Sequence, residues 1–196
     1  MSYIHKESSK DLSFLNDNYV LAKTHIENVM NGKKIKRVLF VNPPDVDEKI
    51  FDYDIAKRGR GNNYPSYGIG VLAAQLRKLN YATSVCNLNH EILKKVFYSE
   101  SKIDFDYVKT WQETVQKTID EFKPDIIGVS CLFSVTHNSF KDVCSFIKKS
   151  NKDIPIIVGG VHVSHDIEGV VKDLEGVDFV CLYEADLALP NLFDVI

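Results

Sequence analysis

The chain has 196 residues, of which 44% are hydrophobic and 26% are charged, and its formal net charge is -3. This length is enough for one full hydrophobic core, and the composition is typical of a soluble globular domain. The small negative charge argues against duplex DNA or an anionic membrane as a partner. No stretch approaches the roughly 18 apolar residues that would cross a bilayer, and Lys6, Glu7 and Lys10 interrupt the start where a signal peptide would lie.

The four cysteines do not form a metal-binding pattern. They are scattered and include no CxxC pair, which argues against a zinc or iron–sulfur site within the chain. Most of them lie in apolar runs, so we interpret them as buried, reduced thiols and predict a cytoplasmic protein. The four are Cys86, Cys131, Cys144 and Cys181.

The first 34 residues are predicted to form a helical extension. Their apolar residues are roughly helix-spaced from Leu12 to Met30, and Asn31-Gly32 ends the pattern. The pattern of apolar and polar residues changes at Ile35, so we predict a boundary between residues 1–34 and a domain over 35–196.

The rest of the chain alternates short apolar runs with amphipathic segments. In its first half we predict a strand at 37–41, a loop at 45–65, a helix at 67–79, a strand at 82–87, mixed short helices at 88–110 and a helix at 111–122. In its second half we predict strands at 125–130, 154–158 and 177–182, helices at 138–149 and 167–174, and a last helix that begins near Ala185.

This alternation predicts the fold class. Continuous apolar strands separated by helices indicate an α/β protein with a five-stranded parallel sheet covered on both faces. Right-handed crossovers make the sheet doubly wound, of the Rossmann-like or flavodoxin-like kind. In such a sheet the ligand lies beyond the carboxyl ends of the strands, so the residues that follow each strand are the candidates.

The turn after the first strand does not resemble a phosphate-binding loop. Asn42, Pro43 and Pro44 follow that strand, and two prolines remove the backbone donors that a phosphate requires. The run from Gly68 to Ala73 has the spelling GxGxxA, but it does not directly follow a strand. We therefore interpret it as the start of a helix whose small residues allow close approach to the sheet or to a ligand.

Later strand ends carry a second set of candidates. Ser130, Leu132 and Phe133 follow the third strand, and the pair Gly159-Gly160 follows the fourth. Paired glycines are typical of a tight turn, and they also let the backbone pass close to a bulky ligand. Glu184 follows the fifth strand, where it either caps the last helix or lies at the edge of a pocket.

These segments together resemble a known family. The Ser130-x-Leu132 element followed by Gly159-Gly160 is similar to the SxL and GG elements of cobalamin-binding domains. The runs at 38–44, 64–76, 124–130, 158–162 and 177–180 resemble the cobalamin-binding domains that are fused to radical S-adenosylmethionine enzymes. The resemblance covers about residues 35–196.

The resemblance implies a cofactor and its contacts. In the family the SxL element lies beside the nucleotide tail of cobalamin, and the paired glycines admit that tail. It implies cofactor-binding roles for Asn42, Pro43, Pro44, Tyr67, Gly68, Ser130, Leu132, Phe133, Gly159, Gly160, His162 and Glu184. No catalytic residue and no direct metal ligand is predicted in this chain.

The sequence departs from the family in two places. The DxHxxG loop, whose histidine is the lower cobalt ligand in domains of the methionine synthase type, is absent, and Asn42-Pro43-Pro44-Asp45 occupies its place. The radical-enzyme branch commonly lacks this histidine. The CxxxCxxC site of the radical chemistry is absent too, so we expect the radical SAM barrel, with its S-adenosylmethionine and [4Fe-4S] cluster, downstream of residue 196.

The remaining histidines and basic residues are interpreted mainly as residues of surface turns and loops. His162 and His165 form an HxxH pair that we interpret as two unrelated histidines in a surface turn. His90 and His137 closely follow strands, so contact of either with the cofactor is a minor alternative to a role in the surface alone. Lys57, Arg58 and Arg60 indicate a solvated basic loop, with a lid over the site as the alternative.

The sequence thus predicts the cobalamin-binding part of a radical SAM enzyme, not catalytic by itself. The expected reaction is transfer of a methyl group from methylcobalamin to a carbon of a small-molecule substrate, and the expected partner is the radical SAM domain. Two alternatives stay open. One is a carrier that binds cobalamin without catalysis, and the other is a flavodoxin-like ligand-binding or signalling domain. The substrate and the oligomeric state are not indicated.

Overall fold

The computed structural model describes the backbone from residue 9 and side chains from residue 18 to residue 196. The predictions made from Lys6, Glu7 and the first residues of the extension lie outside the described residues. Contacts divide the chain into two units, Met1–Lys34 with Ile196, and Ile35–Val195. No helix in the described part is long and apolar enough to cross a bilayer.

The first unit contains one described helix, α1 (Ser9–Met30). It ends where the Asn31-Gly32 pair predicts its end. Asn31 and Gly32 have φ angles of 46° and 74°, and such left-handed residues commonly terminate helices because they turn the chain out of the helical path.

The second unit contains five strands and eight described α-helices in alternation. In chain order they are β1 (Arg37–Asn42), α2 (Tyr53–Lys57), α3 (Tyr67–Lys78), β2 (Ala82–Asn87), α4 (Leu88–Tyr98), α5 (Tyr107–Phe122), β3 (Ile126–Ser130), α6 (His137–Ser150), β4 (Ile156–Gly159), α7 (Val161–His165), α8 (Ile167–Asp173), β5 (Phe179–Cys181) and α9 (Ala185–Val195). Short 3-10 helices lie at Lys102–Asp104 and Ser134–Thr136.

The five strands form one parallel sheet in the order β2-β1-β3-β4-β5. This confirms the predicted doubly wound α/β fold. The chain leaves β1 in one direction to form β2 and then returns to place β3 on the other side of β1. The strand order therefore reverses between β1 and β3, and ligands of such sheets bind in the crevice at this reversal.

One face of the sheet carries the main hydrophobic core. Alternate residues of each strand point to the same face, and on this face they pack against α5 and α6. The core includes Leu39, Val41, Ile127, Val129, Ile156 and Val158 from the strands and Trp111, Val115, Ile119, Phe140, Val143 and Ile147 from the helices.

The opposite face is less completely filled. Helices α3 and α9 cover it, and Gln75 of α3 donates a hydrogen bond to the backbone oxygen of Asp186 at 2.8 Å. In the middle of this face β3 presents Gly128, which has no side chain, between Phe40 and Ile157. The Phe40 ring packs against this glycine, and the site described below lies between this face and the two helices.

Two local predictions were wrong. The segment 45–65, predicted as a loop, contains α2, which Asp52 caps by accepting a hydrogen bond from the Ile55 amide at 2.9 Å. Lys57 is not part of a solvated loop, because its Nζ donates to the carbonyls of Val96 and Phe97 at the end of α4. This contact orders the segment through tertiary structure, which local sequence does not reveal.

Candidate functional site

A cavity of about 380 Å³ lies between the sheet and helices α3 and α9. Its floor is formed by Phe40, Gly128 and Ile157, and its upper part reaches the carboxyl ends of β3, β4 and β5. Its lining is mostly apolar and also includes Ser66, Tyr67, Gly68, Ile69, Val71, Leu72, Val129, Ser130, Leu132, Val158, Gly159, Gly160, Cys181, Tyr183, Glu184, Ala185, Asp186 and Leu189.

The structure brings together seven of the twelve residues that the sequence indicated. They come from α3, from the ends of β3 and β4 and from the turn before α9, and all lie in the wall of the cavity. The seven are Tyr67, Gly68, Ser130, Leu132, Gly159, Gly160 and Glu184.

The turn after β1 lies outside this wall. Asn42, Pro43 and Pro44 do not line the cavity; Pro44 lines a separate cavity of about 300 Å³ beside α5 and α6. The Asn42 amide donates to Asn87 Oδ1 at 3.4 Å, toward the neighbouring strand β2. These three residues therefore lie outside the cavity wall, to which β1 contributes Phe40, and their contact with the cofactor stays a prediction.

Side-chain hydrogen bonds fix the turn after β1 to helix α4. Asn89, which is buried, accepts a hydrogen bond from the Asp45 amide at 3.1 Å and donates to the Asp45 carboxylate at 3.2 Å. Burial raises the pKa of Asp45. The turn is a rigid border beside the site, not part of its lining.

The glycines of the wall have two different roles. Gly160 has a φ of 116°, and a Cβ there would lie 2.4 Å from the Cys131 carbonyl oxygen, so the chain itself requires glycine at this position. A Cβ on Gly68, in contrast, would meet no atom within 4 Å. Gly68 is exposed and leaves open space at the wall of the cavity, which is what a site for a bulky ligand needs.

Exposed aromatic and aliphatic side chains surround the mouth. Tyr67 is 84% exposed, Tyr183 is 79% exposed and Leu132 is 42% exposed, and all three also line the cavity. Tyr183 has a φ of 57°, which is rare for a bulky residue, and its amide donates to Ser164 Oγ at 2.8 Å. The mouth thus offers flat apolar surface to a ligand that extends beyond the cavity.

His162 and Phe133 also lie outside the cavity wall. His162 is buried in α7, so its assignment to a surface turn was wrong. Its Nδ1 contacts Ser134 Oγ at 3.1 Å and its Nε2 contacts His137 Nδ1 at 2.9 Å. Burial, followed by the nearby His137, lowers the pKa of His162, while Asp166 opposes this shift. Both ring nitrogens are engaged, so His162 does not offer a free nitrogen to a metal ion.

The four cysteines are free thiols. Burial raises the pKa of Cys86 to about 11 and raises the pKa values of Cys131, Cys144 and Cys181 as well. All four thiols are therefore protonated at neutral pH. Of the four cysteines, Cys181 alone lines the cavity. Among the described residues no group of three metal-ligating side chains is assembled.

Sequence reasoning missed the floor of the cavity. Gly128 lies inside a strand between the large apolar residues Ile127 and Val129, and a glycine at such a position commonly marks a close approach of another group. That signal was present in the sequence. Phe40 and Cys181 carry no comparable signal. Both faces of this sheet are covered, so the sequence does not show which face an apolar strand residue occupies.

The site defines a class of protein: a doubly wound α/β domain with an apolar, glycine-floored slot at the carboxyl edge of its sheet. A model of the B12 binding domain family matches residues 54–193. The chain belongs to this family, and it is a cobalamin-binding domain.

Two curated proteins are similar to most of the chain. The uncharacterized methyltransferase PH0819 of Pyrococcus horikoshii is 23% identical over 163 residues, which is 83% of this chain and 30% of that protein. The cytidylyl-2-hydroxyethylphosphonate methyltransferase of Streptomyces wedmorensis is 22% identical over 159 residues, which is 79% of this chain and 27% of that protein. The chain thus spans less than a third of the length of these relatives.

Solved structures also resemble the chain. The methanol:cobalamin methyltransferase complex MtaBC from Methanosarcina barkeri matches with a TM-score of 0.48 and 16% identity, over 84% of this chain and 50% of that chain. The response regulator TrrA from Thermotoga maritima matches with a TM-score of 0.41 and 16% identity, over 83% of this chain and 100% of that chain.

Proposed function

We propose that the cavity between α3, α9 and the sheet receives the nucleotide tail of cobalamin. The observation that carries this proposal is the open room beside Gly68 in a mostly apolar cavity of about 380 Å³. Ligand pockets commonly measure roughly 300–1,000 Å³. This cavity is too small for a whole cobalamin molecule, so it suits the narrower part while the corrin ring contacts the mouth.

Different residues of the chain hold different parts of the cofactor. Gly68 leaves room for the tail, and Ser130 supplies a hydroxyl in a mostly apolar wall. Tyr67, Leu132 and Tyr183 supply apolar surface at the mouth and keep water away from the tail. When bound, cobalamin supplies a cobalt centre that can carry a methyl group.

We further propose that the domain serves a radical SAM methyltransferase that methylates a carbon atom. Both curated relatives are named methyltransferases, and the segments after β1, in α3 and after β4 resemble domains fused to radical SAM enzymes. This chain has no CxxxCxxC motif. A separate catalytic domain or chain would therefore supply the [4Fe-4S] cluster and S-adenosylmethionine. The four free cysteines support a reducing, cytoplasmic environment.

A pair of matched variants tests the cofactor site. Gly68→Phe places a ring in the cavity, whereas Gly70→Phe changes a glycine of the same helix that has equally open space but does not line the cavity. We expect hydroxocobalamin to bind the unmodified chain with a corrin absorption band. Gly68→Phe should bind at least about tenfold more weakly, and Gly70→Phe should bind like the unmodified chain. Equal binding by both variants, or no binding by the unmodified chain, would contradict the proposed site.

The reaction class is tested on the whole protein that contains these residues. We expect iron and sulfide in the ratio of a [4Fe-4S] cluster, and transfer of an isotope-labelled methyl group from S-adenosylmethionine to a carbon of the product. A whole protein that binds cobalamin but contains no iron would overturn the radical assignment and leave the cobalamin-binding role intact.

A further inference from the structure

Four polar side chains form a continuous hydrogen-bonded chain beside the ends of β3 and β4. Ser134 Oγ lies 3.1 Å from His162 Nδ1, and His162 Nε2 lies 2.9 Å from His137 Nδ1. His137 Nε2 lies 3.2 Å from Asp173 Oδ2. The four residues come from the loop after β3, from α7, from α6 and from α8, so tertiary structure alone assembles them.

With an ionised Asp173 and neutral histidines, the carboxylate at one end sets the direction of every hydrogen bond. An ionised Asp173 only accepts, so His137 must carry its proton on Nε2 and present Nδ1 as an acceptor. His162 then carries its proton on Nε2 and presents Nδ1 as an acceptor to the Ser134 hydroxyl. All the protons therefore point from Ser134 toward Asp173.

The two ends of this chain are exposed and its middle is buried. The side chain of Asp173 is 48% exposed, that of His137 is 19% exposed, and His162 is 7% exposed. Ser134 lies in the exposed loop two residues beyond Leu132, which lines the cavity. The chain thus runs from α8, where Asp173 is exposed, to the loop that follows the cavity-lining residue Leu132.

Few other charged or titratable groups face these histidines. Asp166 acts on His162 electrostatically, and Lys141 Nζ lies 3.9 Å from Asp173 Oδ2. The Cys131 carbonyl accepts a hydrogen bond from the His162 amide at 3.2 Å, and burial keeps the Cys131 thiol protonated. Lys141 is thus a positive charge at the carboxylate end of the chain.

We infer that Ser134, His162, His137 and Asp173 form a directional proton relay that removes a proton from the mouth of the cavity to solvent. This inference rests on the proposed cofactor site, because that site places a ligand at the mouth. The proton donor is a water molecule or a hydroxyl group of a ligand held there. Ser134 is the receiving residue, and the two histidines and Asp173 are positioning residues that act through it.

The proton transfer conserves the number of protons and changes no oxidation state. A proton from the mouth binds Ser134 Oγ while the proton of the hydroxyl moves to His162 Nδ1. The Nε2 proton of His162 moves to His137 Nδ1, and the Nε2 proton of His137 moves to Asp173, which releases it to solvent. At each step one O–H or N–H bond forms as another breaks.

The tautomers are tested first on the cobalamin-free chain. In ¹⁵N-labelled protein at pH 8, long-range nitrogen–proton correlation spectra should show both His137 and His162 protonated on Nε2. Asp173→Ala should convert both histidines to mixtures of tautomers, because it removes the group that orients them. His165→Gln, in the same short helix as His162, should leave both unchanged. An Nδ1-protonated histidine in the unmodified chain, or unchanged tautomers in Asp173→Ala, would overturn the relay.

The connection to the mouth is tested by adding hydroxocobalamin. We expect binding to move the pH midpoint of the His162 nitrogen signals by at least roughly half a pH unit, and we expect Ser134→Ala to bind cobalamin without this shift. If the complex forms and the midpoint of the unmodified chain stays in place, the relay fails while the proposed function stands. If no complex forms, the proposed function fails and the relay loses its role with it.

Discussion

Phe40 and Gly128 face each other across the β1–β3 pair, and the glycine makes room for the aromatic ring. A Cβ on Gly128 would lie 3.0 Å from Cδ1 and 3.2 Å from Cε1 of Phe40. Phe40 is only 4% exposed, so its ring has little freedom to move away. The ring and the glycine both line the cavity.

We expect Gly128→Ala to destabilise the domain by about 1–3 kcal/mol, because the added methyl group overpacks a buried position. Urea unfolding followed by circular dichroism measures this change. Gly70→Ala is the matched control: its Cβ meets no atom within 4 Å, and alanine in a helix stabilises by about 1 kcal/mol relative to glycine. A stability of Gly128→Ala equal to that of the unmodified chain would show that the Phe40 ring is not confined.

Gly160→Ala is expected to cost more than a change at another positive-φ glycine. Both Gly160 and Gly59 have positive φ angles, but only at Gly160 would a Cβ collide with backbone, 2.4 Å from the Cys131 oxygen. Gly59→Ala introduces only backbone strain, which should lower the free energy of unfolding by about 1–2 kcal/mol. Gly160→Ala should exceed this loss in the same unfolding assay, and equal losses would show that the ends of β3 and β4 separate easily.

The sheet was predictable because its strands are apolar runs bounded by turn residues. The runs around Val38, Ile127 and Ile157 are buried on both faces in the structure, and such runs alternating with helices are compatible with few other folds. The GG and SxL elements were predictable as part of the cavity wall because they lie at the carboxyl ends of strands.

The relay and the floor of the cavity could not be predicted in the same way. Ser134 and Asp173 are 39 positions apart in the sequence, and their connection through two histidines depends on how α6, α7 and α8 pack. The resemblance gave Asn42 and its prolines a cofactor-binding role, and the structure places them outside the cavity wall. A residue at a strand end can face either side of the sheet, and the direction is set by the pleat and the turn.

Cys181 should report occupancy of the cavity. It lines the wall and is partly exposed, whereas Cys144 is buried and burial raises its pKa strongly. We expect iodoacetamide to label Cys181 slowly and Cys144 not at all in the native chain, because the thiolate is the reactive form. Bound hydroxocobalamin should slow the labelling of Cys181 further. Mass spectrometry of tryptic peptides measures both rates, with Cys181→Ser to assign the peptide, and an unchanged Cys181 rate in the complex would place the ligand elsewhere.

His162 should make the stability of the domain depend on pH near neutrality. Its pKa is lowered in the folded state by burial, so the unfolded chain, with an ordinary histidine pKa of about 6.5, binds the proton more readily. Stability should therefore fall as the pH drops from about 7.5 to 5.5. His162→Gln should lower stability at pH 7.5, because it disrupts the contacts with Ser134 and His137, and it should flatten the dependence on pH. His165→Gln, which changes an exposed histidine of the same helix, should keep the slope of the unmodified chain, and a slope that survives in His162→Gln would assign the pH dependence to other groups.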